Sequence, residues 1–308
     1  MSADAFDEFS FLPDQATDIG RTGPLPAARR LSLRLPDGRA LSALRYDDAA
    51  PVVTFLHGAG LNAHTWDTTI LALGLPALSI DLAGHGDSSW RADADYSPRT
   101  LASDVVHALE AWTPAPQTLV GHSLGGLTAT AVAAGRPDLV RRLVVVDITP
   151  GVDPDAGPQQ VRSFFAGPTD WASRDELVER ALSFGLGGTR RAAERGVYLN
   201  SRVRPDGRVE WKHHFAHLAA AAADASATEA DGDALARLLS ATGWADVEAV
   251  STPTTLVRGA EGYVTDADAA QFARHAPTAS VVVVPAHHNV QEEIPVELAR
   301  LVRTIAES

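Results

Sequence analysis

The chain has 308 residues, and its 26 Lys and Arg against 39 Asp and Glu give a formal net charge of −13. This balance argues against binding to a nucleic-acid backbone or to an anionic membrane, since both need clustered basic residues. Cysteine is absent, which excludes disulfides, thiolate nucleophiles and Cys-ligated metals. The length and a hydrophobic fraction of 45% suit a folded protein of one large α/β domain or two smaller units.

Residues 1–29 are acidic at first and then rich in Pro, Gly and Ala, with no clear hydrophobic period. We predict that they form a poorly ordered or draped N-terminal arm. The first 18 residues carry no basic residue, unlike a secretory signal, and the chain has no run of 18 apolar residues. The sequence therefore predicts a cytoplasmic protein without a membrane span.

The predicted core begins with a hairpin, because residues 31–35 alternate, a Pro-Asp-Gly turn follows, and residues 41–46 run back. Later apolar runs are continuous, which is typical of strands buried on both faces. They lie at 52–56, 77–80, 118–120, 143–146, 254–257 and 281–284. Helical stretches, including 99–112 and 124–134, lie between them. This alternation predicts a mostly parallel, doubly wound α/β sheet.

No parallel strand is predicted between Asp147 and Thr254, although most connections are short. We therefore predict a core of residues 30–147 and 246–308, with residues 148–245 as an inserted, mainly helical unit. Its predicted elements are a helix opened by a capping box at Ser173–Glu176, a second helix capped by Thr189, a small hairpin over 203–209 and a helix over 216–223.

A serine lies between glycines in the segment Gly-His-Ser-Leu-Gly-Gly, residues 121–126. The segment follows a predicted strand and precedes a predicted helix, which is the context of a G-x-S-x-G nucleophile elbow. Gly121 and Gly125 lack Cβ and allow close packing around Ser123. The Leu124 N–H would then face a developing oxyanion at the helix N-terminus. The alternative, a structural Ser/Gly turn, is less favoured in this context.

Two further loops follow predicted strands. His57-Gly58-Ala59-Gly60 comes directly after strand 52–56, and its glycines leave backbone N–H groups free to face a cavity. We predict the Ala59 N–H as the second oxyanion donor. His57 is interpreted as a buried histidine that holds this loop, and residues 81–88 as a loop-shaping turn.

The order of these motifs resembles the α/β-hydrolase fold superfamily. The motifs are HG after one strand, D-x-x-G-x-G-x-S after the next, G-H-S-x-G-G after a third, and a late histidine. The match spans about residues 30–308, and the insert after Asp147 stands where this superfamily places its cap. The resemblance implies an α/β-hydrolase fold with a helical cap and a serine nucleophile, but it does not indicate the substrate.

The resemblance also implies where the general base lies. A serine hydroxyl needs a base within hydrogen-bond reach, and the chain has eleven histidines. The superfamily places the base in the loop after the last strand, here residues 285–291. His288 fits this position better, and the adjacent His287 is the alternative.

Two residues are candidates for the acid that orients the base. The usual superfamily site is the loop after the penultimate strand, where Glu261 is the nearest carboxylate. Some esterases of the superfamily instead use an aspartate in a D-I-x-P segment, which Asp147 begins here. An aspartate directly after three valines would be costly to bury without a partner. We favour Asp147 and keep Glu261 as the alternative acid.

Three aromatic residues are predicted to line a substrate pocket over Ser123: Trp66, Trp211 and Phe215. For any one of them, ordinary packing is the competing interpretation. His213 and His217 have helical spacing, but the H-E-x-x-H pattern of a zinc helix is missing, so we predict no metal.

These residues together predict a serine hydrolase that acts on a carboxylic ester, or a similar acyl compound, through an acyl-enzyme. A carbon–carbon bond hydrolase or a lactonase with the same triad is the alternative enzyme. A ligand receptor on a hydrolase scaffold is the alternative outside catalysis. We predict a small-molecule substrate and no cofactor, and the sequence does not indicate an oligomeric state.

Overall fold

A computed structural model describes residues 7–152, 167–184, 189–224 and 243–308, with the backbone alone for 221–224. The strands are β1 (Ala28–Arg34), β2 (Ala40–Tyr46), β3 (Val53–Leu56), β4 (Ala77–Asp81), β5 (Gln117–His122), β6 (Val140–Val146), β7 (Asp170–Trp171), β8 (Ser201–Val203), β9 (Val209–Trp211), β10 (Thr254–Gly259) and β11 (Ser280–Val284). The α-helices are α1 (Leu12–Asp18), α2 (Asp67–Leu73), α3 (Pro98–Trp112), α4 (Leu124–Gly135), α5 (Arg174–Ser183), α6 (Arg190–Asn200), α7 (Phe215–Asp224), α8 (Gly243–Ala249), α9 (Asp266–His275), α10 (Val290–Glu293) and α11 (Pro295–Glu307).

Eight strands form one twisted layer in the order β1-β2-β4-β3-β5-β6-β10-β11. The β1–β2 and β2–β4 pairs are antiparallel, and the five pairs from β4 to β11 are parallel. The predicted doubly wound, mostly parallel sheet is confirmed. The parallel topology brings the carboxyl ends of β3, β5, β6 and β10 to one edge, which is where ligand sites form in such sheets.

The central strands are buried on both faces, which explains their continuous apolar runs. Every residue of β3, β4 and β5 is buried. Two hydrophobic clusters flank the sheet, one around α3 and α4 and the other around α2 and α11. Helix α4 is buried along most of its length, and this rigid core fixes the loops at the sheet edge.

After β6 the chain leaves the main sheet and returns to it at β10. In between, β7, β9 and β8 form a separate antiparallel sheet with α5 and α6 beside it. The capping oxygens of Ser173 and Thr189 accept from the N–H groups of Glu176 and Ala192, as the sequence predicted for α5 and α6. The predicted hairpin is also present, as β8 and β9. The boundaries 148–245 stay a prediction, because parts of this unit lie outside the described residues.

Residues 7–29, the described part of the predicted N-terminal arm, contain regular structure. A 3₁₀ turn at Glu8–Phe11 leads into α1, and Leu12 and Ala16 are buried against the cluster around α2. Ion pairs from Glu8 to Arg30 and to His64 hold the arm against the core. The described part of the arm therefore packs on the core, and the arm as a separate unit of residues 1–29 stays a prediction.

None of the helices in the described ranges is long and apolar enough to cross a bilayer. The cytoplasmic location stays a prediction.

Candidate active site

Ser123 lies in a strained turn between β5 and α4. Its φ of 51° and ψ of −122° are sparsely populated for a residue with a Cβ, so the surrounding packing must impose them. A Cβ on Gly121 would lie 2.2 Å from the carbonyl oxygen of Gly125, and one on Gly125 would lie 2.4 Å from that of Leu56. Both glycines are therefore required by close backbone approach, as the sequence predicted for an elbow.

The serine hydroxyl is not used to cap the helix, although Ser123 is the residue that precedes α4. The residue is 8% exposed, so a small part of it is open to solvent at the sheet edge. The N–H of Leu124 is the first of the helix and has no intrahelical acceptor. Hydroxyl and N–H are thus adjacent, at the positive end of the α4 dipole.

The loop after β3 lies directly beside this turn. A Cβ on Gly58 would lie 3.2 Å from the Cβ of Ser123 and 2.7 Å from Nδ1 of His122. Among the described residues, none accepts a hydrogen bond from the Ala59 N–H. The loop therefore brings the predicted second oxyanion donor to the same edge as Ser123, while its role stays a prediction.

His57 holds this loop, as its sequence interpretation suggests. It is fully buried, its Nδ1–H donates to the Gly58 carbonyl at 2.8 Å, and its Nε2 accepts from the Leu82 N–H at 3.0 Å. Burial lowers the pKa of His57, so the ring stays neutral and keeps this tautomer. The two loops after β3 and β4 are thereby joined.

Asp147 and His288 form a hydrogen-bonded pair. Nδ1 of His288 lies 2.8 Å from Oδ2 of Asp147, whose side chain is fully buried. The carboxylate also accepts from the N–H groups of Gly259 at 3.0 Å and Tyr263 at 2.7 Å. Asp147 has a φ of 49°, so the chain bends at the end of β6 and aims the carboxylate at the imidazole. This geometry fixes which nitrogen of His288 carries the proton.

The pair lies at the same sheet edge as Ser123. The N–H of Ser123 donates to the carbonyl of Val146, the residue before Asp147, at 3.1 Å. His122, the other neighbour of Ser123, has its ring 4.5 Å from that of His288 and donates from Nε2 to the His288 carbonyl at 3.0 Å. Burial and the neighbouring His288 hold the pKa of His122 well below its ordinary value, so His122 stays neutral.

The alternative acid and the alternative base lie elsewhere. Glu261 is 77% exposed at its side chain and contacts Nε2 of His287 at 3.3 Å, not His288. His287 is itself 66% exposed and also pairs with Glu293 at 2.9 Å. Of the open alternatives, the geometry therefore favours His288 over His287 and Asp147 over Glu261.

Tyr263 is a site residue that the sequence reasoning missed. Its ring stacks on the imidazole of His288, with 3.6 Å between centroids and 13° between planes. Burial raises the pKa of the Tyr263 phenol, and the nearby Asp147 adds to this, so the hydroxyl stays neutral. Its sequence signal is its position four residues after β10, in the loop that also carries Glu261.

The structure places Trp66 in the core, which argues against the pocket role predicted for it. The residue is fully buried and packs against Phe55, with 4.8 Å between the ring centroids. It belongs to the cluster around α2, because the 3₁₀ turn at Ala63–Trp66 carries the chain away from the sheet edge into the core.

The two predicted pocket residues of the insert differ in their surroundings. Trp211 is buried beside Trp171, with 5.8 Å between the rings, inside the insert. Phe215 packs on His85 and Tyr96 of the core, at 5.0 and 5.7 Å. Phe215 therefore lies where insert and core meet, and the pocket roles of both residues stay predictions.

The part of the chain that the structure describes contains no group of three or more His, Asp or Glu side chains placed to hold a metal ion. That the reaction needs no cofactor stays a prediction.

Sequence comparison shows which known proteins this chain is similar to. Residues 55–301 match the alpha/beta hydrolase family. The chain is 37% identical over 310 residues to Esterase Rv0045c of Mycobacterium tuberculosis, covering 98% of this chain and 96% of that protein. It is 32% identical over 209 residues to the sn-1-specific diacylglycerol lipase ABHD11 of Mus musculus, covering 64% and 62% of the two chains.

Solved structures agree with the fold. A crystal structure of the M. tuberculosis esterase Rv0045c superposes with a TM-score of 0.80 at 36% identity, covering all of both chains. An E-2-(acetamidomethylene)succinate hydrolase superposes with a TM-score of 0.76 over 91% of this chain and all of the other. At 23% identity, the second likeness supports the fold alone.

Proposed function

The chain belongs to the alpha/beta hydrolase family, and from this premise we propose that it hydrolyses carboxylic esters with Ser123 as the nucleophile. The likeness to an esterase over nearly the whole chain supports the reaction class. One observation carries the mechanism: Nδ1 of His288 lies 2.8 Å from the buried Asp147 carboxylate, at the edge where Ser123 stands in its strained turn.

In the first half of the reaction, Ser123 Oγ attacks the ester carbonyl carbon while Nε2 of His288 takes the hydroxyl proton. The carbonyl oxygen becomes an oxyanion, which accepts hydrogen bonds from the N–H groups of Leu124 and Ala59. The ester C–O bond then breaks, and His288 returns the proton to the departing alcohol. The product of this half is an acyl group on Ser123.

In the second half, a water molecule attacks the acyl carbon while His288 takes one of its protons. The bond from the acyl carbon to Ser123 Oγ breaks, the proton returns to Oγ, and the carboxylic acid leaves. Asp147 stays ionised throughout and stabilises the imidazolium that forms twice in each turnover. The buried N–H groups of Gly259 and Tyr263 hold the carboxylate in place for this task.

The test is hydrolysis of short-chain nitrophenyl esters by the wild type and by Ser123→Ala. We expect kcat to fall about 10⁴-fold or more in Ser123→Ala. Ser32→Ala on the exposed side of the edge strand β1 is the matched control and should keep full activity. A fluorophosphonate should label the wild type at the peptide that contains Ser123.

A loss below tenfold in Ser123→Ala would remove this residue from the mechanism. Folded wild-type protein that hydrolyses no ester and takes no label would favour a ligand receptor. Turnover of a lactone or of a β-diketone, but of no open ester, would favour one of the alternative hydrolases.

A further inference from the structure

A hydrogen bond from the insert reaches the loop that carries the proposed oxyanion donor. Nδ2 of Asn200, the last residue of α6, donates to the carbonyl of Gly60 at 2.7 Å. Gly60 directly follows Ala59, whose N–H is the proposed second donor. An insert side chain therefore contacts the loop one residue away from a group that would touch the transition state.

A second asparagine fixes the orientation of the first. Nδ2 of Asn62 donates to the Leu199 carbonyl at 3.0 Å and to Oδ1 of Asn200 at 3.2 Å. Oδ1 of Asn62 in turn accepts from the His64 N–H at 2.9 Å. Each amide oxygen and each Nδ2 then has a partner of the right kind. Since Asn62 is only 6% exposed, water competes little for these bonds.

Besides the hydrogen bond from His57 Nδ1–H to the Gly58 carbonyl, one further hydrogen bond of the described residues closes this loop. The Leu61 N–H donates to the Gly58 carbonyl at 3.2 Å, which closes a turn with Ala59 and Gly60 at its centre. Gly60 has a φ of 76°, as the third residue of a type II turn requires. The peptide that carries the Ala59 N–H is held at the Gly58 carbonyl by His57 and Leu61, and the Asn200 amide holds the other end of the same turn at the Gly60 carbonyl.

We propose that Asn200 is a positioning residue that holds the oxyanion loop in its active geometry, with Asn62 orienting the Asn200 amide. This inference rests on the proposed function, since it needs an oxyanion at the Ala59 N–H. The contact between insert and loop thereby lowers the free energy of the transition state and does not affect binding of the ester in its ground state.

The experiment compares Asn200→Asp, Asn200→Ala and Asn62→Ala with the wild type on one nitrophenyl ester. Asn200→Asp keeps the size of the side chain and replaces the donor with an acceptor. We expect kcat to fall about tenfold or more in both Asn200 variants while KM changes less than threefold, because a displaced donor affects mainly the charged transition state. Arg204→Ala is the control within the insert, since Arg204 pairs only with Asp170 and Asp206 in the described residues.

A phenylboronic acid, which forms a tetrahedral adduct with an active serine, separates positioning from general damage. Its inhibition constant should rise in the Asn200 variants by the same factor as kcat/KM falls. A changed KM with unchanged kcat, or an unchanged boronate affinity, would overturn the positioning role. If an Asn200 variant does not fold, judged by circular dichroism, Asn62→Ala gives the same reading with a smaller expected loss of about threefold.

The two proposals fail in different ways. If Ser123→Ala is inactive and Asn200→Asp keeps its kcat, only the positioning role of Asn200 is wrong. If Ser123→Ala keeps its turnover, the proposed function is wrong and the positioning role falls with it.

Discussion

Two aspartate–histidine pairs of the described residues, each with a buried aspartate, have nearly the same hydrogen-bond distance and different surroundings. At the sheet edge, Asp147 and His288 are 2.8 Å apart, and in the core beneath the N-terminal arm, Asp67 and His64 are 3.0 Å apart. The second nitrogen of His64 contacts the Glu8 carboxylate at 3.1 Å, whereas no carboxylate of the described residues contacts the second nitrogen of His288.

This difference distinguishes His288, the proposed general base, from a histidine that is held as a cation. Burial alone would lower the pKa of His64, but Asp67 and Glu8 outweigh it and raise the pKa to about 9. An imidazole held protonated on both nitrogens cannot accept a proton from a serine. An Asp–His pair therefore indicates a base only where the far nitrogen is left free, and this criterion supports His288 alone of the two.

The largest expected effect is the loss of kcat in Asp147→Asn, and Asp67→Asn is the matching change in the other pair. Asp147→Asn should lower kcat about 10³- to 10⁴-fold, because the amide favours the wrong tautomer of His288 and no longer stabilises its charged form. Asp67→Asn should change kcat less than threefold and lower the melting temperature instead. Ester kinetics and thermal unfolding on both variants measure the contrast.

Glu261→Gln is the control for the alternative acid and should keep kcat within twofold of the wild type. If Glu261→Gln were the variant that loses turnover, and Asp147→Asn were not, the assignment of the acid would be reversed.

A smaller effect is expected from His64, and it concerns stability and pH. Its pKa is raised from 6.5 to about 9 in the folded protein. The imidazolium therefore contributes stability that is fully present below pH 6.5 and is lost as the pH rises through 9, on the order of 1–3 kcal/mol. Urea unfolding at pH 6 and pH 9.5 should show this loss in the wild type and not in His64→Gln.

The Glu8 carboxylate of the same network makes the stability of the protein depend on pH at the acidic end as well. Burial would raise the pKa of Glu8, but hydrogen bonds from His64 and Arg30 outweigh it and lower the pKa to about 2. The Glu8 carboxylate thus contributes stability above pH 4.5 that is lost as the pH falls through 2.

His107→Gln on the surface of α3 is the control for the alkaline experiment on His64. Equal pH slopes for the wild type and His64→Gln would show that His64 is not the group that titrates.

The smallest effect is expected from Tyr263, whose ring stacks on His288 with 3.6 Å between the centroids. This sharpens the comparison, because the ring of Phe9 lies 5.9 Å from that of His64 and is tilted by 56°. Tyr263→Leu should lower kcat about three- to tenfold, because a flat ring fixes the imidazole and stabilises its cationic form. Tyr263→Phe retains the ring and should keep most of the turnover. Equal losses in the two variants would assign the effect to the hydroxyl.

Much of the fold could be predicted because a buried strand appears in the sequence as a continuous run of apolar residues. The runs at 52–56, 77–80 and 143–146 became β3, β4 and the end of β6, since a strand covered on both faces has few polar positions. Helix α1 had no such run. Its residues Leu12 and Ala16 pack against the cluster around α2, and the turn before it is held by ion pairs of Glu8 with Arg30 and His64, which are distant in sequence.

The residues of the candidate site likewise include some that the sequence could predict and some that it could not. Ser123 and its glycines could be predicted because elbow, strand and helix are contiguous. The choice between Asp147 and Glu261 could not be made from spacing, because it depends on which carboxylate the N–H groups of Gly259 and Tyr263 hold. Trp66 follows the loop after β3 closely in sequence, and yet the 3₁₀ turn directs its ring into the core.

The positive φ angles of Ser123 and Asp147 have a consequence for the evolution of this chain. Each angle costs on the order of 1–3 kcal/mol in a residue with a Cβ, and glycine would relieve it. A population selected only to survive heat should therefore accept glycine at these two positions, although the proposed mechanism requires both side chains. Persistence of both side chains in a lineage is then a record of selection on turnover, against the direction that thermal robustness alone would favour.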